Sequence, residues 1–206
     1  MTPRKRPVLA TSAASFALML TACAAPLPGD LPPEQTSWSA DQLIELSKQE
    51  ADAGHDGQAE RLEDGKVTFD EYQAAFNDLS ACLNDAGITV SEPVISPVSN
   101  DRYEFTMDVG SLDMNVGAKL SDECAAEHWT SVSQGYMFTK TPVMDVGVRD
   151  ATVPCLEEDG LKPTGEESNA FEFVSLPDAD PDKVTECIML AVEDVYPGLP
   201  SVTVAF

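Results

Sequence analysis

Two histidines, His55 and His128, are the side chains best suited to proton transfer or metal binding near neutral pH. Cys124 lies four residues before His128 in a stretch predicted to be helical, so these two side chains would share one face. Two ligands are too few for a zinc site, and the sequence contains no C-x-x-C spacing. It also contains no G-x-S-x-G elbow, phosphate-binding loop or H-E-x-x-H motif. We therefore expect neither enzymatic activity nor a cofactor.

The segment from Asp64 to Tyr72 carries oxygen-bearing side chains at a spacing that could bind calcium. It resembles the second half of an EF-hand loop, with Gly65 as the turn glycine and Glu71 as the bidentate carboxylate. The candidate calcium ligands are Asp64, the backbone carbonyl of Lys66, Thr68 and Glu71. The first half of the loop departs from this pattern, because Leu62 stands where an oxygen ligand is needed.

The same residues also fit a structure without an ion. Thr68 and Glu71 have the spacing of a capping box, which begins a helix, and Asp64-Gly65 is typical of a turn. The apolar side chains that then recur at helical spacing are Phe69, Tyr72, Phe76, Leu79 and Leu83. The sequence predicts this helix under both interpretations.

The N-terminal sequence has a basic segment followed by a short apolar stretch, the order found in an export signal. Arg4, Lys5 and Arg6 precede an uncharged apolar stretch that is too short to span a bilayer. This stretch ends in Leu20-Thr21-Ala22-Cys23, which resembles the lipobox of bacterial lipoproteins. The resemblance implies that residues 1–22 are a signal peptide and that Cys23 is the lipidated residue. The alternative is an ordinary secretory signal cut near the same place.

Prolines follow at high density, so we predict an extended tether over residues 23–37. A single α+β domain is then expected over residues 38–206. The chain has 12 Lys and Arg residues against 36 Asp and Glu residues, a formal net charge of -24. This excess of negative charge excludes a basic nucleic-acid-binding surface, so nucleic acid is not an expected partner.

The four remaining cysteines form an even set, which in an exported protein predicts two disulfides. Spacing alone allows three pairings. A weak internal repeat distinguishes them, because a shift of 73 residues places Cys82 on Cys155 and Gly87 on Gly160. The pseudo-repeats cover about 64–136 and 139–195, and each contains one further cysteine. We therefore predict one bond within each copy, Cys82–Cys124 and Cys155–Cys187.

Periodicity predicts a small disulfide-stapled α+β domain built from two helix–strand–helix units. The predicted helices begin after Ser39, after Thr68, near Ser121, after Thr141 and after Asp180, with a further helical turn over 57–63. The predicted strands cover 88–94, 103–109, 112–120, 171–173 and 202–206. Because Pro154 lies inside the fourth helix, we expect a kink or a late start there.

The pattern D-G-x-V-T-x-x-E-Y, followed by A-C-L-x-x-A-G, covers about Glu63 to Gly87. It resembles small uncharacterised cysteine-containing lipoproteins of high-GC Gram-positive bacteria, a group that implies no activity. The expected function is therefore a binding module, anchored by lipid to the extracytoplasmic face of the cell membrane. Its partner would be an envelope protein, a polymer or a small ligand. The alternatives are a calcium-binding module and, more distantly, an envelope hydrolase.

Overall fold

The first helix begins and ends where local side chains predict it. In the computed structural model, which describes residues 37–199 and 202–204, Ser39 Oγ accepts from Gln42 N–H and Gln42 Oε1 accepts from Ser39 N–H. Gly54 ends the helix at φ 86°, a left-handed conformation that a side chain would oppose. The capping box predicted at Thr68 and Glu71 is likewise confirmed.

Helices dominate the part of the chain that is described. The helices are α1 (Ala40–Ala53), α2 (Asp56–Leu62), α3 (Phe69–Asp85), α4 (Met114–His128), α5 (Thr130–Phe138), α6 (Val146–Glu158), α7 (Ala170–Val174) and α8 (Pro181–Val195). The strands are β1 (Thr89–Val90), β2 (Val94–Ile95), β3 (Tyr103–Glu104) and β4 (Met107–Asp108). Antiparallel pairing joins β1 to β4 and β2 to β3. The predicted α+β class is confirmed.

The described residues belong to one compact unit. None of their helices is long and apolar enough to cross a membrane. The predicted signal peptide over 1–22, the lipidated Cys23 and the tether residues before Ser37 lie outside the described residues.

Both predicted disulfides are present, and each joins two helices. Cys82 in α3 is bonded to Cys124 in α4, and Cys155 in α6 is bonded to Cys187 in α8. The chain therefore contains two disulfide-linked helix pairs, as the internal repeat predicted.

An aromatic cluster fills the core of the first pair. Tyr72 of α3 is fully buried, and its ring centroid lies 4.7 Å from that of Trp129 and 4.4 Å from that of Tyr136. Its hydroxyl accepts a hydrogen bond from Tyr103 N–H at 2.7 Å. The ring stack and this bond together attach α3 to β3 and α5. Of the other apolar residues predicted at helical spacing in α3, Phe76, Leu79 and Leu83 are buried and Phe69 is 40 % exposed.

A second apolar core lies around α6, α7 and α8. Its fully buried members include Val148, Leu156, Phe173, Val184 and Ile188. Asp180 caps α8 and Pro181 occupies the first helical turn, as predicted.

The predicted strand over 112–120 is wrong, because α4 begins there. Asp113 Oδ1 accepts from Asn115 N–H and Val116 N–H, so its carboxylate caps the helix. Met114 and Val116 are 70 % and 49 % exposed, so the alternating apolar residues do not mark a buried sheet face. The single helix predicted from Ser121 is also divided in the structure, because α4 ends at His128 and α5 begins at Thr130, on either side of Trp129.

The start predicted for α6 at Thr141 is wrong, whereas the late start expected for this helix is confirmed, because α6 begins at Val146 and contains Pro154. Asp145 is the N-cap, and its Oδ1 accepts from Gly147 N–H at 2.8 Å. The C-terminal strand is a further error, because residues 202–204 form no strand, while Phe206 lies outside the described residues. The strand predicted at 171–173 is instead helix α7, which Asn169 caps through Glu172 N–H.

Glu104 of β3 is a buried carboxylate, and its burial affects its pKa. It is 6 % exposed, and its Oε1 accepts from Thr203 N–H at 3.3 Å. Burial raises the pKa of Glu104 above its ordinary value, and outweighs the opposing effects of the Thr203 hydrogen bond and the Arg102 charge. The folded state therefore binds this proton more tightly than the unfolded chain does.

Glu104→Gln is accordingly expected to raise the free energy of unfolding at neutral pH. The stabilisation that protonation of Glu104 provides is fully present below its unfolded-state pKa and is lost as pH rises through the folded-state pKa. The gain should therefore shrink as pH falls, when measured by urea unfolding between about pH 4 and 8. The exposed Glu92 provides the control, Glu92→Gln. A Glu104→Gln variant that is less stable than the native chain at every pH contradicts the prediction.

Candidate ligand-binding cleft

Both histidines singled out in the sequence line one open cleft of about 670 Å³. Its walls are α2, the C-terminal half of α3 and the end of α4. Five carboxylates line it: Asp56, Glu60, Asp78, Asp85 and Glu127. The Cys82–Cys124 disulfide ties two of these walls together, and Cys82 itself lines the cleft.

The turn between α1 and α2 positions His55. Gly54 reverses the chain in the left-handed conformation, and His55 N–H then donates to Glu50 O at 2.9 Å. The carbonyl of His55 accepts the first backbone bonds of α2, from Gln58 N–H and Ala59 N–H. The imidazole is therefore held at a junction of two helices, with its side chain 29 % exposed.

A hydrogen-bond network behind the cleft orients this imidazole. His55 Nδ1 lies 2.7 Å from Glu50 Oε2, and Ser131 Oγ donates to Glu50 Oε1 at 2.5 Å. An ionised carboxylate only accepts, so Nδ1 carries the proton and donates to Glu50. When the ring is neutral, this bond leaves Nε2 as the acceptor nitrogen.

Gln58 completes the support from a fully buried position. Its Nε2 donates to Ala126 O at 2.6 Å, and its Oε1 accepts from Ser131 N–H at 2.8 Å. One amide thus joins α2 to the end of α4 and the start of α5. Because buried polar groups stabilise a fold only when they are fully bonded, this network should hold the cleft walls in one arrangement.

Arg61 is the one arginine among the described residues that line the cleft, and none of these residues is a lysine. Its two terminal nitrogens donate to Gly57 O at 2.8 Å and to Asp78 Oδ2 at 2.6 Å. His128 lies at the end of α4, with Nε2 3.8 Å from Glu127 Oε1. The remaining carboxylates outnumber the positive charge, so the electrostatic potential of the cleft is negative.

The chemistry available is acceptance of hydrogen bonds and attraction of positive charge. Among the described lining residues there is no serine or threonine, and Cys82 is oxidised, so the lining offers no hydroxyl or thiol nucleophile beside the imidazoles. The described residues also contain no group of three or more His, Cys, Asp or Glu side chains placed to hold a metal ion.

The structure places the candidate calcium ligands at the start of α3, where the side chains of Asp64, Thr68 and Glu71 accept hydrogen bonds from the backbone. Glu71 Oε2 accepts from Thr68 N–H and Thr68 Oγ1 at 2.8 and 2.7 Å. Asp64 Oδ1 accepts from Lys66 N–H. Gly65 has a φ of 77°, and a Cβ there would lie 2.9 Å from Ala40 Cβ, so the fold itself requires this glycine. Calcium binding by these residues stays a prediction.

Sequence reasoning missed most of the cleft. Glu50, Arg61, Asp78 and Ser131 come from four different helices and carry no local motif. Of the lining residues, the sequence identifies the two histidines and the disulfide-bonded Cys82.

Comparison of this chain with protein-family models, with curated proteins and with solved structures found no match. The cleft and the sequence patterns therefore carry the functional argument.

Proposed function

We propose that the protein is a lipid-anchored extracytoplasmic binding module that presents this cleft to the cell envelope. The observation that carries the proposal is the cleft itself, which is open, acidic, supported by a hydrogen-bond network and without a hydroxyl or thiol nucleophile among its described residues. An open cleft with a negative electrostatic potential is suited to binding a ligand that carries positive charge.

Two independent features support the location. Disulfides persist in oxidising compartments, and the chain has one in each helix pair. The N-terminal sequence has the basic region, short apolar stretch and lipobox-like end of a lipoprotein signal. Two or more acyl chains on Cys23 would hold the module firmly, since each buried CH₂ contributes about 0.8 kcal/mol.

Cys23→Ala is expected to move the protein out of the membrane fraction of cells that process lipoproteins. The substitution removes the only thiol that the lipobox offers, so neither acylation nor anchoring can follow. Ala25→Ser is the matched control and should remain in the membrane fraction. Fractionation with immunoblotting and intact-mass measurement of the purified protein provide the readout. An unprocessed native chain in the cytosol, with all thiols reduced, refutes the proposal.

Binding requires a separate test. The immobilised full chain should retain an envelope component that a Glu60→Gln/Asp85→Asn variant retains less well, because both carboxylates line the cleft. Equal retention by both proteins would place binding on another surface.

A further inference from the structure

The side chain of His55 is held so that its second nitrogen is available to a ligand. His55 lines the cleft, whereas Glu50, which bonds its Nδ1, lies behind it. Nε2 lies on the other side of the ring and makes no hydrogen bond within the described residues. When the ring is neutral, Nε2 is a positioned acceptor at the cleft wall, which matches a ligand that brings an N–H or O–H donor.

The charges around this acceptor select among such ligands. Asp56, Glu60 and Asp85 are exposed and form no hydrogen bond or ion pair through their side chains within the described residues. Arg61 cannot neutralise them, because its guanidinium is already bonded to Gly57 O and Asp78. That pairing also shows that this wall accommodates a guanidinium, with one carbonyl and one carboxylate as acceptors.

The second disulfide-linked helix pair provides an internal comparison. Aligning the bonded cysteines of the two pairs places Asp78 of α3 at Ala151 of α6. It also places Glu127 and His128 of α4 at Leu190 and Ala191 of α8. Two helices can therefore be linked in this way without these polar groups, so the fold alone does not explain their presence in the cleft.

We propose that the cleft binds an organic cation bearing N–H donors, a primary ammonium or a guanidinium, with His55 Nε2 accepting one donor and Glu60 and Asp85 balancing the charge. This ligand class rests on the proposed binding function. A free polyamine and a basic peptide side chain share this chemistry.

The experiment is calorimetric titration of the purified full chain in nonionic detergent at about 0.15 M salt, where weak surface attraction is screened. The probes are spermine, a capped tetra-arginine peptide, and a spermine analogue methylated to quaternary ammonium at every nitrogen. The analogue retains the charge and lacks the N–H donors. Zn²⁺ alone is titrated as a fourth probe.

We expect spermine or the peptide to bind at one site, and the methylated analogue to bind at least about tenfold more weakly. Whichever of the two binds better identifies the source of the cation. His55→Phe should weaken binding by about tenfold, and Glu60→Gln/Asp85→Asn by a similar factor. Glu157→Gln/Glu158→Gln removes the same charge from the exposed end of α6 and should leave binding unchanged. Far-UV circular dichroism verifies that each variant is folded.

Three results overturn the proposal: equal binding of spermine and its methylated analogue, native affinity in folded His55→Phe, or absence of amine binding, whether or not Zn²⁺ saturates the protein. None of these results bears on the membrane location of the Cys23→Ala variant, so failure of the ligand class and failure of the anchored location are distinguishable.

Discussion

Replacing both cysteines of either disulfide with alanine is expected to lower the free energy of unfolding by about 4 kcal/mol. The bonds close segments with sequence separations of 42 and 32 residues. In the chain-entropy model the stabilisation grows only with the logarithm of that length, so the two losses should differ by a few tenths of a kcal/mol. Urea unfolding of Cys82→Ala/Cys124→Ala and Cys155→Ala/Cys187→Ala measures both.

The two variants should nevertheless differ in where the structure loosens. Cys82–Cys124 ties α3 to α4, and both helices line the cleft. Amide exchange around Glu127 and His128 should therefore increase in the first variant and not in the second. Losses below about 1 kcal/mol in both would show that the bonds constrain the unfolded chain much less than the model assumes.

Local chemistry in the sequence was a good guide wherever a structure depends on neighbouring residues. The capping boxes at Ser39 and Thr68 are present because each needs only four consecutive residues. The disulfides followed from an internal repeat, which is also visible in the sequence alone. The sequence does not predict the start of α4, because its alternating apolar residues indicate a strand, whereas the helix begins at the N-cap Asp113.

The cleft could not be predicted in the same way. Its support requires Glu50, Gln58 and Ser131 to meet, and Ser131 is more than 70 residues away from the other two along the chain. Nothing in a single sequence reports such a meeting, since each residue is an unremarkable polar side chain on its own helix. The sequence predicts only that His128 lies on the helix face of Cys124, and the structure places it at the cleft wall.

Phe173→Ala is expected to lower the free energy of unfolding by about 3–5 kcal/mol. Phe173 is fully buried in the core around α6, α7 and α8, and truncation would leave a cavity there. Phe171, two residues earlier, is 37 % exposed, so Phe171→Ala should have a much smaller effect.

This pair of substitutions also distinguishes the observed helix from the strand that the sequence suggested. In a strand, residues two apart point to the same face, so both phenylalanines would be buried together and both substitutions would be costly. In a helix, two residues turn the side chain through about 200°, so Phe171 and Phe173 point in nearly opposite directions. Urea unfolding of the two variants measures the difference directly. Equal losses of stability in the two variants would contradict the helical conformation of α7. A large loss confined to Phe173→Ala is the result expected for a short helix that begins at Asn169 and buries Phe173.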